Sequence, residues 1–394
     1  MEISKLAKQI PESMTLAISA KAKQLKAEGK SIIGFTAGEP DFDSPDIVKA
    51  SAKEAIDAGL TKYTPASGII ELKKAICEKL KTDNGLDYEP SQIIISSGAK
   101  SSLYYAMLAV LNAGDEVIIP TPIWLTYPEL VKMCGCTPVN VDTRKTGYKL
   151  TAEALANAIT DKTKLLILNT PCNPTGVVYS KDELEALAKV IVEKGIYVIS
   201  DEIYEKLVYG VKHTSIASLN SQIKERTILV NGMSKAYSMT GWRVGYTAAH
   251  KDIIKAMTNI QSHAAGNTCS IAQYASVDAV RKCEQFAYDS RNIFAARRLL
   301  LIEFAKKLEN VTFVYPEGAF YLFMDVSAYY GKSYNGKIVS GSVSFAECLL
   351  DEGVALIPGA PFGDDNCVRL SYAVSESDIV EGFLRIAAFL KKLK

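Results

Sequence analysis

The stretch SKAYSMTGWRVGY, Ser234 to Tyr246, sets Lys235 just beyond the apolar run TILV (Thr227–Val230), with Arg243 eight positions later. A lysine on a solvated loop needs no chemistry. At the mouth of a buried sheet, where its surroundings favour the neutral amine, it is a nucleophile able to form a Schiff base with an aldehyde. Other apolar runs also end on reactive side chains. IIISSGAKSS (93–102) passes through Gly98, Ala99 and Lys100 into a helical pattern. Free backbone N–H groups and small residues at a helix start suit an anion such as phosphate, although they also make an ordinary cap. The spacing matches neither the P-loop nor the dinucleotide fingerprint. ILNTPCNPTG (167–176) ends in turn-formers around Asn169 and Asn173, which either close a turn or hold an amide rigidly. YVISDEIYEKL (197–207) puts Asp201 and Glu202 at the end of an apolar strand. An acid there is either a helix cap or a buried carboxylate in need of a cation.

Together these groups suit one ligand. Lys235 offers an amine for an aldehyde, Asp201 a carboxylate for a pyridinium nitrogen, and Asn173 and Tyr204 an amide and a phenol for a ring hydroxyl. Arg243 and the Gly98–Lys100 helix start offer positive charge and N–H groups for a phosphate. The ligand with all four features is pyridoxal 5′-phosphate.

The elements that must hold these residues are legible as short, β-branched apolar runs: 92–98, 115–122, 164–171, 195–202, 226–234 and 244–250. Their near-continuous apolar character is that of strands buried on both faces. Helical patterns lie between several of them, among them KDELEALAKVIVEKG (181–195) with its glycine stop. The alternation predicts an α/β fold with a mostly parallel sheet, whose ligands bind beyond the carboxyl ends of the strands. The first thirty residues read as helix, followed by a short strand in SIIGF. After about residue 290 the pattern becomes that of a smaller α+β domain, with GKSYNGKIVSGS (331–342) as a surface loop.

Composition narrows the function classes. The 394 residues are 48% hydrophobic with a formal net charge of +1, enough for a large core and no electrostatic reason for nucleic acid or an anionic membrane. Eight cysteines form no framework, the Cys134–Cys136 pair has neither zinc nor redox spacing, and the three histidines are not paired for a metal. The expectation is a reduced, cytoplasmic protein without metal, signal core or membrane span.

These motifs are familiar as a set. FTAGEPDFDSP, KYTPASGIIELKKAI, NTPCNPTGVVYS, SDEIYEKLVY, SKAYSMTGWRVGY, PEGAFYLFMD and VRLSYA fall in one order from end to end. The chain resembles the fold-type I, pyridoxal-phosphate-dependent aminotransferases of class I, most closely the prokaryotic-type aspartate aminotransferase subgroup. The resemblance implies a seven-stranded, mostly parallel sheet in a large cofactor-binding domain (46–290), a small C-terminal domain (291–394), and an N-terminal arm with part of the small domain (1–45). It implies that Lys235 holds the cofactor and shuttles a proton, that Asp201 pairs with the pyridine N–H, and that Asn173 and Tyr204 bond the ring hydroxyl. Trp124 would stack on the ring. Gly98, Ala99, Lys100, Arg243 and, from a neighbouring subunit, Tyr63 would surround the phosphate. Arg369 would clamp the substrate α-carboxylate, a task suited to its planar fork. Gly38 would assist it, and Lys100, with Thr15, would recognise a distal carboxylate. One departure is Gly232, three residues before Lys235, where other aspartate aminotransferases carry a serine; glycine occurs within the prokaryotic-type subgroup.

The expected activity is transfer of an amino group from an L-amino acid, aspartate first, to 2-oxoglutarate by a ping-pong cycle in a homodimer with shared sites. Aromatic amino acids or prephenate are the alternative substrates, and a fold-type I C–S lyase the alternative reaction. A ligand-sensing regulator would need a further N-terminal domain, and a nicotinamide enzyme a G-x-G-x-x-G turn that is missing.

Overall fold

The computed structural model describes residues 2–12 and 14–394. Seven strands form the central sheet: β1 (Ile93–Ser96), β2 (Glu116–Thr121), β3 (Thr137–Asp142), β4 (Thr163–Asn169), β5 (Tyr197–Asp201), β6 (Thr227–Gly232) and β7 (Gly245–Ala248). Their order is β1-β7-β6-β5-β4-β2-β3. All neighbours are parallel except β7, which runs antiparallel to both β1 and β6. Side chains alternate between two covered faces. Ile94, Ile119, Ile167, Ile199 and Ile228 pack under helices Ala99–Val110 and Lys251–Ala264. On the other face Leu166, Leu168 and Val198 meet helix Lys181–Lys194, while Ile93, Ile95 and Leu229 meet helices Ile70–Asn84 and Ser270–Lys282.

Six of these strands fall on the apolar runs of the sequence. The seventh, β3, does not: TPVNVD is an edge strand whose residues are only half covered, so it lacks the continuous apolar signature of its neighbours. Helix Lys181–Lys194 has the boundaries its pattern predicts. Ser180 and Glu183 form a reciprocal capping box at its start, and Gly195 ends it at φ 69°.

A second, antiparallel sheet is built from β8 (Thr312–Phe313), β9 (Tyr321–Asp325), β10 (Ile357–Pro358) and β11 (Cys367–Ser371), in the order β10-β11-β9-β8. It shares an aromatic core with helices Glu284–Ala305 and Glu376–Lys392. The N-terminal stretch is two helices, Lys5–Gln9 and Met14–Ala27, rather than one continuous helix. The polar 331–342 segment is not a plain loop: Ser333–Tyr334 and Lys337–Ile338 pair as a small hairpin, anchored by buried Tyr334 and Val339. All eight cysteines are free, and no helix among the described residues is long and apolar enough to cross a membrane.

Candidate active site

The carboxyl ends of β1, β2, β4, β5 and β6 open on one cavity of about 600 Å3. Because β7 is antiparallel, its amino end lies at the same edge, which brings Arg243 there, two residues before the strand starts. The cavity wall includes Thr15, Gly38, Ala99, Lys100, Trp124, Asn173, Asp201, Tyr204, Lys235, Arg243 and Arg369. Of the residues expected at the site, Gly98 lies just behind this wall, and Tyr63 does not line the cavity of its own chain; it is 98% exposed.

Lys235 is half-buried and donates to the Gly38 carbonyl. Burial pulls its amine down to about 8, with Arg369 and Arg243 pushing the same way and Glu39 and Asp201 opposing. Asp201, 3% exposed at the end of β5, accepts from the Tyr127 hydroxyl at 2.6 Å and from the Ile203 N–H at 3.2 Å. Burial raises its pKa to about 6 despite the Tyr127 bond. Asn169 at the end of β4 accepts from the Asn173 backbone N–H at 2.9 Å, which holds the Asn173 turn against the strand.

Arg369 sits in β11, an interior strand of the small sheet, and is 3% exposed, so it is not a surface arginine on an edge. Its guanidinium donates to Asn173 Oδ1 at 3.0 Å and to the Thr36 carbonyl at 3.2 Å, and lies 4.3 Å from the Tyr321 ring centroid. Its Nε is buried with no partner. At the other end of the cavity Gly98 caps helix Ala99–Val110 at φ 83°, and a Cβ there would fall 2.3 Å from Arg243 Nη2. Lys100 lies 5.0 Å from the Trp124 ring, its amine pulled below the ordinary range by burial and by Arg243. Gly232 has a packing reason: a Cβ would meet the Val244 carbonyl at 2.8 Å, because β6 and β7 close tightly there.

Several wall residues carried no signal of their own in the sequence. Tyr127 and Tyr321 read as core aromatics, and Glu39 as a loop acid; only the fold turns them inward. Ser19 and Lys23 lie one and two helical turns beyond Thr15 on helix Met14–Ala27, whose cavity-facing side its sequence does not declare.

Residues 30–386 match the family model for aminotransferase class I and II. The chain belongs to the class I and II aminotransferases. It is 46% identical over 387 residues to an aspartate aminotransferase of Bacillus sp. strain YM-2, with 98% of each chain covered. It is also 46% identical to an aspartate/prephenate aminotransferase of Cereibacter sphaeroides, covering 97% of this chain and 96% of that one. The aspartate aminotransferase structure from Rhizobium meliloti superposes with a TM-score of 0.96 at 41% identity, over the full length of both chains.

Aminotransferases of this family depend on pyridoxal phosphate, and the cavity fits it. A buried carboxylate with no cation in contact among the described residues, a lysine with a depressed pKa, and a glycine-opened helix start beside Arg243 have the chemistry that suits a ring nitrogen, an aldehyde and a phosphate.

Proposed function

We propose that this aminotransferase takes the amino group preferentially from aspartate and passes it to 2-oxoglutarate in a ping-pong cycle. The observation that carries the reading is the gathering of Lys235, Asp201 and Arg369, distant in sequence, around one cavity in which Arg369 Nε has no partner. When bound, pyridoxal phosphate supplies an electron sink that stabilises charge at the substrate α-carbon.

The chain's own residues do the rest. Arg369 clamps the α-carboxylate through its fork and, with the Gly38 backbone, orients the α-hydrogen. Lys235 Nζ would anchor the cofactor and, once released, would carry the α-proton in a 1,3 transfer, to the carbon two atoms away across the nitrogen; an amine whose pKa is lowered to about 8 suits both directions. Asp201 keeps a negative charge against the ring N–H, and Tyr127 holds that carboxylate in place. Asn173 and Tyr204 address the ring hydroxyl, and Trp124 covers the ring face. Gly98, Ala99 and Arg243 hold the phosphate.

Lys100, with Thr15, selects a second carboxylate. Lys100→Ala is expected to lower kcat/KM for aspartate on the order of 10–100-fold while sparing aromatic donors. A visible-absorbance titration of the purified protein tests the whole reading: aspartate converts the bound cofactor to its aminated form. A cofactor band that ignores aspartate and answers to tyrosine overturns the assignment of Lys100. Prephenate is the second substrate supported, by the likeness to the Cereibacter sphaeroides protein. We place the division between a large and a small domain near residue 290, in keeping with the separation of the seven-stranded sheet from the four-stranded one. The exposure of Tyr63 supports a homodimer in which it reaches the partner's phosphate end, and the eight free cysteines are in keeping with a reducing, cytoplasmic setting.

A further inference from the structure

Tyr321, on β9, touches two of the residues above. Its hydroxyl lies 2.9 Å from that of Tyr204, and its ring lies 4.3 Å from the Arg369 guanidinium. Both tyrosines are buried, Tyr321 at 1% exposure. The direction of the bond between them follows from counting protons. A phenol carries one hydrogen, so Tyr204 cannot donate both to Tyr321 and into the cavity. If Tyr204 donates to the ring hydroxyl oxygen of the cofactor, as the function proposed above requires, its own oxygen is left to accept, and Tyr321 stands within reach to donate. The charged groups around the pair are Lys235, whose Nζ is 5.9 Å from the Tyr204 ring, Asp201 at the end of β5, and Arg369 on β11.

We propose that Tyr321 is a positioning residue with two separable roles: its hydroxyl fixes the proton of Tyr204 toward the cofactor ring oxygen, and its ring face holds the Arg369 clamp. This rests on the aminotransferase reading of Tyr204 and Arg369. A donor behind Tyr204 strengthens the bond Tyr204 makes in front, since chained hydrogen bonds polarise one another. The ring face acts independently, as a cation–π surface under a buried guanidinium whose Nε still awaits a partner.

The test is a pH titration of the bound cofactor's visible absorbance, with KM and kcat measured alongside, for Tyr321→Phe, Tyr321→Leu and Tyr204→Phe. Tyr321→Phe keeps the ring and removes the hydroxyl. It is expected to move the absorbance midpoint upward by about one pH unit with little change in KM. Tyr321→Leu should add a rise in KM for amino acids of about 3–5-fold, the loss of an aromatic face under a cation. Tyr204→Phe should move the midpoint at least as far, and the double variant Tyr204→Phe/Tyr321→Phe no further than Tyr204→Phe alone. A midpoint in Tyr321→Phe that stays put or falls, while Tyr204→Phe moves it, overturns the hydroxyl role and leaves the function standing. An unchanged midpoint in Tyr204→Phe itself overturns both. Equal KM values in the Phe and Leu variants overturn the role of the ring face.

Discussion

Glu205 and Arg369 are both buried side chains built to carry charge, yet their surroundings differ. Glu205, on the segment after β5, accepts from Lys79, from Asn231 at 2.8 Å and from Asn84 at 2.9 Å. Burial pushes its pKa up, but Lys79 and His213 outweigh that, and the carboxyl is held at about 2. Beside it, Glu202 accepts from Ser200 and Ser215 and pairs with His213 at 3.0 Å. Glu202, Glu205 and His213 have metal-binding chemistry and bring ligand atoms within 4.8 Å of one another, but the carboxylate oxygens are already occupied by protein donors, and among the described residues His213 Nδ1 is the atom of the cluster left without a partner. In the cavity the pattern reverses. Arg369 meets only neutral oxygens and has a free Nε, Lys235 rests on a carbonyl, and Asp201 touches a phenol and a backbone N–H. Buried charge completed by the protein holds the fold together; buried charge left incomplete is poised for a ligand.

That contrast can be broken from either side. Lys235→Ala removes an incomplete charge: turnover should fall on the order of 10⁴-fold, measured as half-reaction rates with aspartate, while the thermal midpoint stays within the range of a surface substitution. Lys79→Met removes one member of the completed set. It should destabilise the protein by about 3–5 kcal/mol in denaturant unfolding, because it leaves Glu205 buried without its cation. Arg369→Lys keeps the charge but loses the fork; kcat/KM for aspartate should drop about 10–100-fold, mostly through KM, with little change in stability.

The mildest test uses pH alone. Only the neutral amine captures an aldehyde, and with its pKa lowered to about 8 roughly a tenth of Lys235 is neutral at pH 7. The rate at which cofactor-free protein takes up pyridoxal phosphate should therefore climb about tenfold per unit below pH 7.5 and level off above about 8. A rate still climbing tenfold per unit above pH 9 would mean that Lys235 is not depressed.

Much of the site is legible in the residues themselves. Lys235, Asp201 and Asn173 are legible as a set: each alone could be a loop lysine, a helix cap or a turn residue, but together, at or just beyond the ends of apolar strands, they suit one ligand, and parallel sheets bind ligands at those ends. The six buried strands and the capped helix Lys181–Lys194 follow from local pattern, since burial on both faces and helix capping are written in neighbouring residues. What the tertiary structure decided is pairing and direction. The antiparallel course of β7 brings Arg243 to the cavity, the interior place of β11 buries Arg369, and the packing of β9 turns Tyr321 toward Tyr204. Edge strand β3 stayed hidden because one covered face leaves no continuous apolar run. Side-chain type and spacing reveal which groups are expensive to bury; which of them find partners within the protein depends largely on residues distant in sequence, 74 positions from Asp201 to Tyr127 and 196 from Arg369 to Asn173, and that only the folded chain determines.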